Sequence, residues 1–176
     1  MNSEEKQKAV MMHRNFFDQS KAAIESKYYF EAMMYEYAAI EGRLEIICGM
    51  LGCPCNRQLD DDTRRSIKIG RRITCLKRLY KIHTACKNST TKINKEIWER
   101  IDRWIRRRNM FVHGLYKDPS IYTNRIKDVK DEAEEGYELA RLLYNEAKRI
   151  KRLVDNHPER MCWEGKCCKK QCFKKW

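Results

Sequence analysis

The chain has 176 residues and a formal charge of +13, from 38 Lys and Arg against 25 Asp and Glu. That is the size of one ordinary domain, and a surplus of clustered cations favours an anionic partner such as nucleic acid. Only 7 Gly and 3 Pro punctuate a sequence rich in Glu, Lys, Arg, Leu, Ile and Ala, which reads as mostly helical. Met1 to Lys8 is polar with no apolar stretch after it, so no secretory leader is expected. No apolar run approaches the ~18 residues that would cross a bilayer. Nine cysteines, an odd number without even spacing, do not suit a secreted disulfide framework. These features lead to the expectation of a soluble cytoplasmic protein whose thiols stay reduced.

In chain order, Ser3 to Ser26 forms the first predicted helix. Ser3 is its cap, Glu4 and Glu5 complement its dipole, and Val10, Phe17 and Ile24 recur at helical spacing. The second helix, Tyr28 to Leu51, carries a stripe of Phe30, Met34, Tyr37, Leu44, Cys48 and Leu51, with Glu41 as a charged intruder. Gly52 to Thr63 reads as a loop. Asp60, Asp61 and Asp62 cap the next helix, about Thr63 to Cys86, with Ile67, Ile73, Leu76 and Leu79 inward. After a polar break, a fourth helix runs from about Lys92 to His113 and stops at Gly114. Leu115 to Asn124 reads as a turn. The last helix, about Arg125 to Asn156, steps through Ile126, Val129, Ala133, Ala140, Leu143, Ala147, Ile150 and Val154. The expected fold is therefore all-α: an antiparallel bundle of about five helices over residues 1–157, followed by a basic Cys-rich tail over 158–176.

The fourth helix concentrates the chemistry. At about 100° per residue, Ile93, Ile97, Ile101, Trp104, Phe111 and Leu115 share one stripe. Arg108 falls in that stripe, where a cation is costly unless paired. Glu41 is the matching anomaly on the second helix, so Glu41 and Arg108 are expected to be neighbours. The alternative is that Arg108 reaches out to water at a fraying end. Asp102, Arg106, Asn109 and His113 lie together on the opposite face. An imidazole titrating near neutrality can move a proton in either direction, and a guanidinium holds phosphate oxygens bidentately. RNA cleavage by the 2′-hydroxyl needs little else, and no metal. A surface His near a helix C-terminus is the plainer reading of His113.

Arg108-Asn109-Met110-Phe111-Val112-His113 resembles the R-N-x-x-x-H form of the R-x(4–6)-H motif of HEPN domains. These are helical ribonuclease and nucleotide-binding domains of toxin–antitoxin, phage-defence and CRISPR effector systems, and the likeness covers roughly Lys8 to Asn156. The resemblance implies a metal-independent endoribonuclease in which two copies of the motif meet across a homodimer. It makes His113 the acid/base, Arg108 the phosphate ligand, and Asn109 the residue that orients one of them. It also implies an antitoxin or effector-complex protein as a partner. Arg106 and Arg107 satisfy the same spacing, and an ideal helix points Arg108 about 140° away from His113. The helical wheel thus favours Arg106 as the cation, the resemblance Arg108. Arg100, Arg103, Arg106 and Arg107 line the same helix and are the expected contacts to an RNA backbone.

The tail holds Cys162, Cys167, Cys168 and Cys172 among six cations and two acids. Thiolates suit zinc, but only Cys168 and Cys172 have module-like spacing, so free thiols are expected and no cofactor is assigned. If zinc binds anywhere, those four cysteines are its ligands. A non-catalytic HEPN-like module that binds RNA, a nucleotide or a protein is the second functional reading. A helical adaptor for DNA or a membrane surface is the third, without a helix-turn-helix or P-loop to support it.

Overall fold

The structure, a computed structural model, describes residues 15–51, 69–85 and 95–156. These residues are all-α, with no strand among them. We number the helices α1 (residues 15–25), α2 (Tyr29–Met50), α3 (Ile69–Ala85), α4 (Lys95–Lys117), α5 (Ser120–Asn124) and α6 (Ile126–Asn156). None of the described helices is long and apolar enough to cross a membrane.

The chain divides into two compact units. One joins Met1–Gly42 to Arg100–Leu142; the other joins Arg43–Glu99 to Leu143–Trp176. α2, α4 and α6 each contribute one part to each unit. In the second unit, Leu44, Ile47, Ile73, Leu76, Trp98, Leu143 and Ile150 are buried. Arg72 is buried among them, 3.3 Å from Glu45. Arg43 and Lys148 both stand over the Tyr144 ring, at 4.7 and 4.3 Å from its centroid, a favourable cation–π arrangement.

The first unit is built around α2, α4 and α6. On α4, the stripe expected from the sequence is the buried one: Ile101, Trp104 and Phe111 are inside, and Arg108 is 9% exposed in line with them. Burying an indole such as that of Trp104 removes roughly 200 Å² from water, on the order of 5 kcal/mol before entropy is counted. Its Nε1 donates to the Glu132 carbonyl at 2.8 Å, so the ring is fixed in rotation as well as depth. Gly136 makes this possible. A Cβ there would collide with Glu36 Oε2 and lie 2.5 and 2.7 Å from Trp104 Cζ2 and Cε2.

Several expectations are corrected. α4 does not stop at Gly114. It runs to Lys117, the Asp118 amide closes the last turn on the Gly114 carbonyl at 2.8 Å, and Pro119 follows. A glycine can sit inside a helix when nothing forces the chain out of it, whereas proline cannot continue one. The expected turn over Leu115 to Asn124 is thus partly helix, with Asp118 Oδ1 accepting from the Ser120 amide at 2.9 Å as the cap of α5. Hydrogen bonding to the Ser120 side chain, with this amide bond second, holds the Asp118 carboxyl below the usual carboxylate range. On α2 the buried stripe is Ala32, Met33, Glu36, Ile40 and Leu44, whereas Met34 is 52% exposed and Phe30, Tyr37 and Glu41 are half-buried. Ile126, expected inward on α6, is 40% exposed. Ser3, Val10, Ile67, Ile93, Asp60 to Asp62 and the tail lie outside the described residues, as do the predicted beginnings of the first, third and fourth helices.

The close approach at Gly136 predicts opposite outcomes at two glycines. Gly136→Ala gains up to ~1 kcal/mol of helix propensity but overpacks a rigid ring and a buried carboxyl, a loss of about 1–3 kcal/mol or more, so denaturant unfolding should show net destabilisation. Gly70→Ala on α3, with nothing within 4 Å of the added methyl, should leave stability unchanged or raise it by up to ~1 kcal/mol.

Candidate nucleic-acid interface

α4 is an unbroken helix through the whole R-N-x-x-x-H segment, so its geometry decides which residues act together. Arg103, Arg106, Arg107, Met110, His113 and Lys117 are all exposed and fall within about 120° of one another around the axis. This is a basic stripe with one imidazole and one large apolar side chain, Met110, 52% exposed.

The cations differ in what holds them. Arg106 donates to Asp102 Oδ2 at 3.1 Å, one turn toward the N-terminus, with its side chain 78% exposed. A pair that open to water is worth at most ~1 kcal/mol, so an incoming phosphate can displace it. Arg107 Nε donates to Glu132 Oε2 at 2.6 Å, and Glu132 is 6% exposed. Burial raises the Glu132 carboxyl pKa while the Arg107 hydrogen bond and charge pull against that shift. Arg100, expected among the RNA contacts, is instead clamped bidentately on Glu135, both Nη2 bonds at 3.0 Å. No ion pair to Arg103 forms among the described residues, which leaves its charge open to a ligand.

Arg108 points the other way. Its guanidinium lies 4.6 Å from the centroid of the Tyr37 ring, contacts the Met34 sulfur, and donates from Nη1 to Asn109 Oδ1 at 3.0 Å. Glu41 is not among its partners, and no carboxylate accepts from it among the described residues. The ring face substitutes for the expected acid: a polarisable aromatic surface takes part of the cation's charge where a carboxylate would have added its own desolvation cost. Burial lowers the Arg108 pKa, and Tyr37 works against it.

Asn109 therefore joins two sides of the helix. Its oxygen is held by Arg108, and it lies one turn below exposed His113. The structure brings Arg108 and Asn109 together, and it leaves Arg108 and His113 on different faces. Sequence reasoning missed Glu36, Glu132, Met34 and Tyr37 as the residues that set these orientations. Glu132 carried a signal, an acid at an apolar-stripe position between Val129 and Ala133 on α6.

Among the described residues no group of three or more His, Cys, Asp or Glu side chains is placed to hold a metal. Cys162, Cys167, Cys168 and Cys172 lie outside the described residues. Comparison with protein-family models, curated proteins and solved structures returns no match for this chain.

The contrast between two adjacent arginines is measurable. Arg108→Met removes a buried charge that leaves no carboxylate orphaned, so it should change unfolding free energy by less than about 1 kcal/mol in either direction. Arg107→Met strands a buried carboxylate and should cost about 2 kcal/mol at neutral pH. A loss above about 2 kcal/mol for Arg108→Met would mean that an anion pairs with Arg108 after all.

Proposed function

We propose that the chain is a HEPN-like, metal-independent endoribonuclease of a toxin or antiviral-defence system, acting on single-stranded RNA as a homodimer. The observation that carries the reading is the exposed stripe on α4, where His113 stands among Arg103, Arg106, Arg107 and Lys117. A basic stripe binds the phosphate backbone without regard to sequence, and an imidazole is a side chain that can both accept and donate a proton in catalysis.

The chemistry assigned to it is transesterification. One neutral His113 takes the proton of the ribose 2′-hydroxyl, and the oxygen attacks the adjacent phosphorus in line. The 5′-oxygen leaves with a proton from a second, protonated His113 contributed by the other subunit. The products are a 2′,3′-cyclic phosphate and a 5′-hydroxyl. Arginine stabilises the charge that builds on the phosphorane. In this scheme Arg106 is the cation on the His113 face, and Arg108 is a positioning residue that fixes Asn109 through its oxygen.

The inward setting of Arg108 favours a second reading as well. A domain whose motif arginine is committed to Tyr37 and Met34 suits an RNA-binding module that does not cut.

Single-stranded RNA incubated with the protein in excess EDTA separates the two. Cleavage should survive chelation, leave cyclic phosphate ends and vanish in His113→Ala, while Arg106→Ala should lower its rate by about 10²–10³. Arg103→Ala should weaken binding evenly across sequences and reduce the slope of log affinity against log salt by about 1. Binding with that salt slope but without cleavage supports the module; activity that requires a divalent cation overturns the proposed chemistry.

A further inference from the structure

Glu36 is a carboxyl of α2 at the centre of the first unit, 1% exposed and met there by α1, α4 and α6. From α1, Ser20 Oγ donates to its Oε1 at 2.7 Å. Glu36 Oε2 faces Gly136 of α6 and the Trp104 ring of α4 packs against the same glycine. Neither Glu36 Oε2 nor Glu132 Oε1 has a hydrogen-bond partner, although both are buried. The charged groups bearing on this cluster are few. α6 supplies Glu132 and, beside it, Glu135; α4 supplies Arg107, bonded to Glu132, and Arg100, bonded to Glu135. α1 presents the Ser20 hydroxyl, whereas its Lys21 and Glu25 pair with each other in solvent.

With Glu36 neutral, the inner cluster balances one carboxylate, Glu132, against one guanidinium, Arg107. With Glu36 ionised, two buried carboxylates share one half-exposed arginine, and an oxygen without a donor carries charge in a medium of low dielectric. That state is relieved by water. α4 and α6 close on Glu36 through the Trp104 ring seated against Gly136, whereas what α1 brings to the carboxyl is the Ser20 hydroxyl, so the element that yields is α1. It is tied to α2 by a short turn at Lys27, whose φ is 64°. The Phe16 and Phe17 rings of α1 also pair with Tyr35 and Tyr137.

We propose that α1 is a proton-coupled latch: it sits closed over a protonated Glu36 and opens with release of that proton to solvent. The coupling does not depend on what the α4 stripe binds. Burial first, and the Glu132 charge after it, push the Glu36 carboxyl up to about 8, with the Ser20 hydrogen bond pulling the other way. In the open form Glu36 returns to the ordinary carboxylate range. The closed form then binds more protons than the open one between those two values. Closure therefore weakens as pH rises through that window and is level above about 8.

Amide hydrogen exchange of residues 19–25 in the full chain tests this, alongside the 13Cδ shift of Glu36. Protection factors, corrected for intrinsic exchange, should fall about tenfold per pH unit between about pH 5 and the Glu36 midpoint, then flatten. The 13Cδ shift should titrate within about one unit of 8. Glu36→Gln, neutral at every pH, should hold α1 protection constant across the range. The proposal is overturned if Glu36 titrates as an ordinary carboxylate, if α1 protection is flat below that midpoint, or if Glu36→Gln shows the same slope. Should Glu36→Gln not fold, the agreement or disagreement between the two wild-type curves decides.

Discussion

The contact of Trp104 with Gly136 and the Glu132 carbonyl governs the first unit, because it sets the rotation of α4. Once that indole is fixed on α6, every later residue of the helix has its direction. Arg108, one turn on, falls on the same side and must enter the interior. Arg106 and His113 are carried to the outside, and Arg107 stands between them, turned toward Glu132. Three consecutive arginines thus receive three environments from one packing contact. The chemistry of the stripe is a consequence of the helical angle, and a residue with a side chain at position 136 would change it.

The acids of α6 then shape the field that the rotation creates. Glu135, Glu132 and Glu138 engage Arg100, Arg107 and Arg141 respectively. Those pairs tie down cations near α6, while Arg103 and Lys117 stay exposed and Arg106 is held only by a partner that water screens. Arg108 escapes this system by stacking on Tyr37, which makes its inward position tolerable without drawing an acid away from the others.

What the sequence revealed follows the same physics. α4 was legible because its apolar residues and its charges fall on opposite sides, so periodicity alone placed Trp104, Phe111 and even Arg108 inside. α2 was not, because apolar side chains occupy nearly every side of it. A wheel drawn through Met34 and Tyr37 looks as good as one drawn through Met33 and Ile40. The choice between them is made by tertiary partners, Ser20 sixteen residues away and Gly136 a hundred residues away, which no local window contains. The same gap made Glu41 look like the buried acid when Glu36 is. Gly114 misled for a different reason. A glycine after a histidine is a common helix stop, but the residue that ends this helix is Pro119, acting through Asp118.

On the ribonuclease reading, a straight α4 has a further consequence. Arg106 and His113 lie about 10 Å apart along the axis, at 1.5 Å per residue. Helical side chains lean toward the N-terminus, and the Arg106 guanidinium does so, to Asp102. Within one subunit the imidazole therefore has Asn109 beneath it and no guanidinium beside it. Transesterification needs a base, an acid and a cation around a single phosphate, and within one copy the cation one turn from His113 is Lys117, with no acid beside the imidazole among the described residues. On the homodimer proposal, a second copy run against the first with the two His113 side by side would bring its imidazole to the same phosphate, its own Arg106 then lying about 10 Å off along the axis. On that reading, what one straight α4 leaves unsupplied at His113 is the acid, and the His113 of a second copy is the group proposed to supply it.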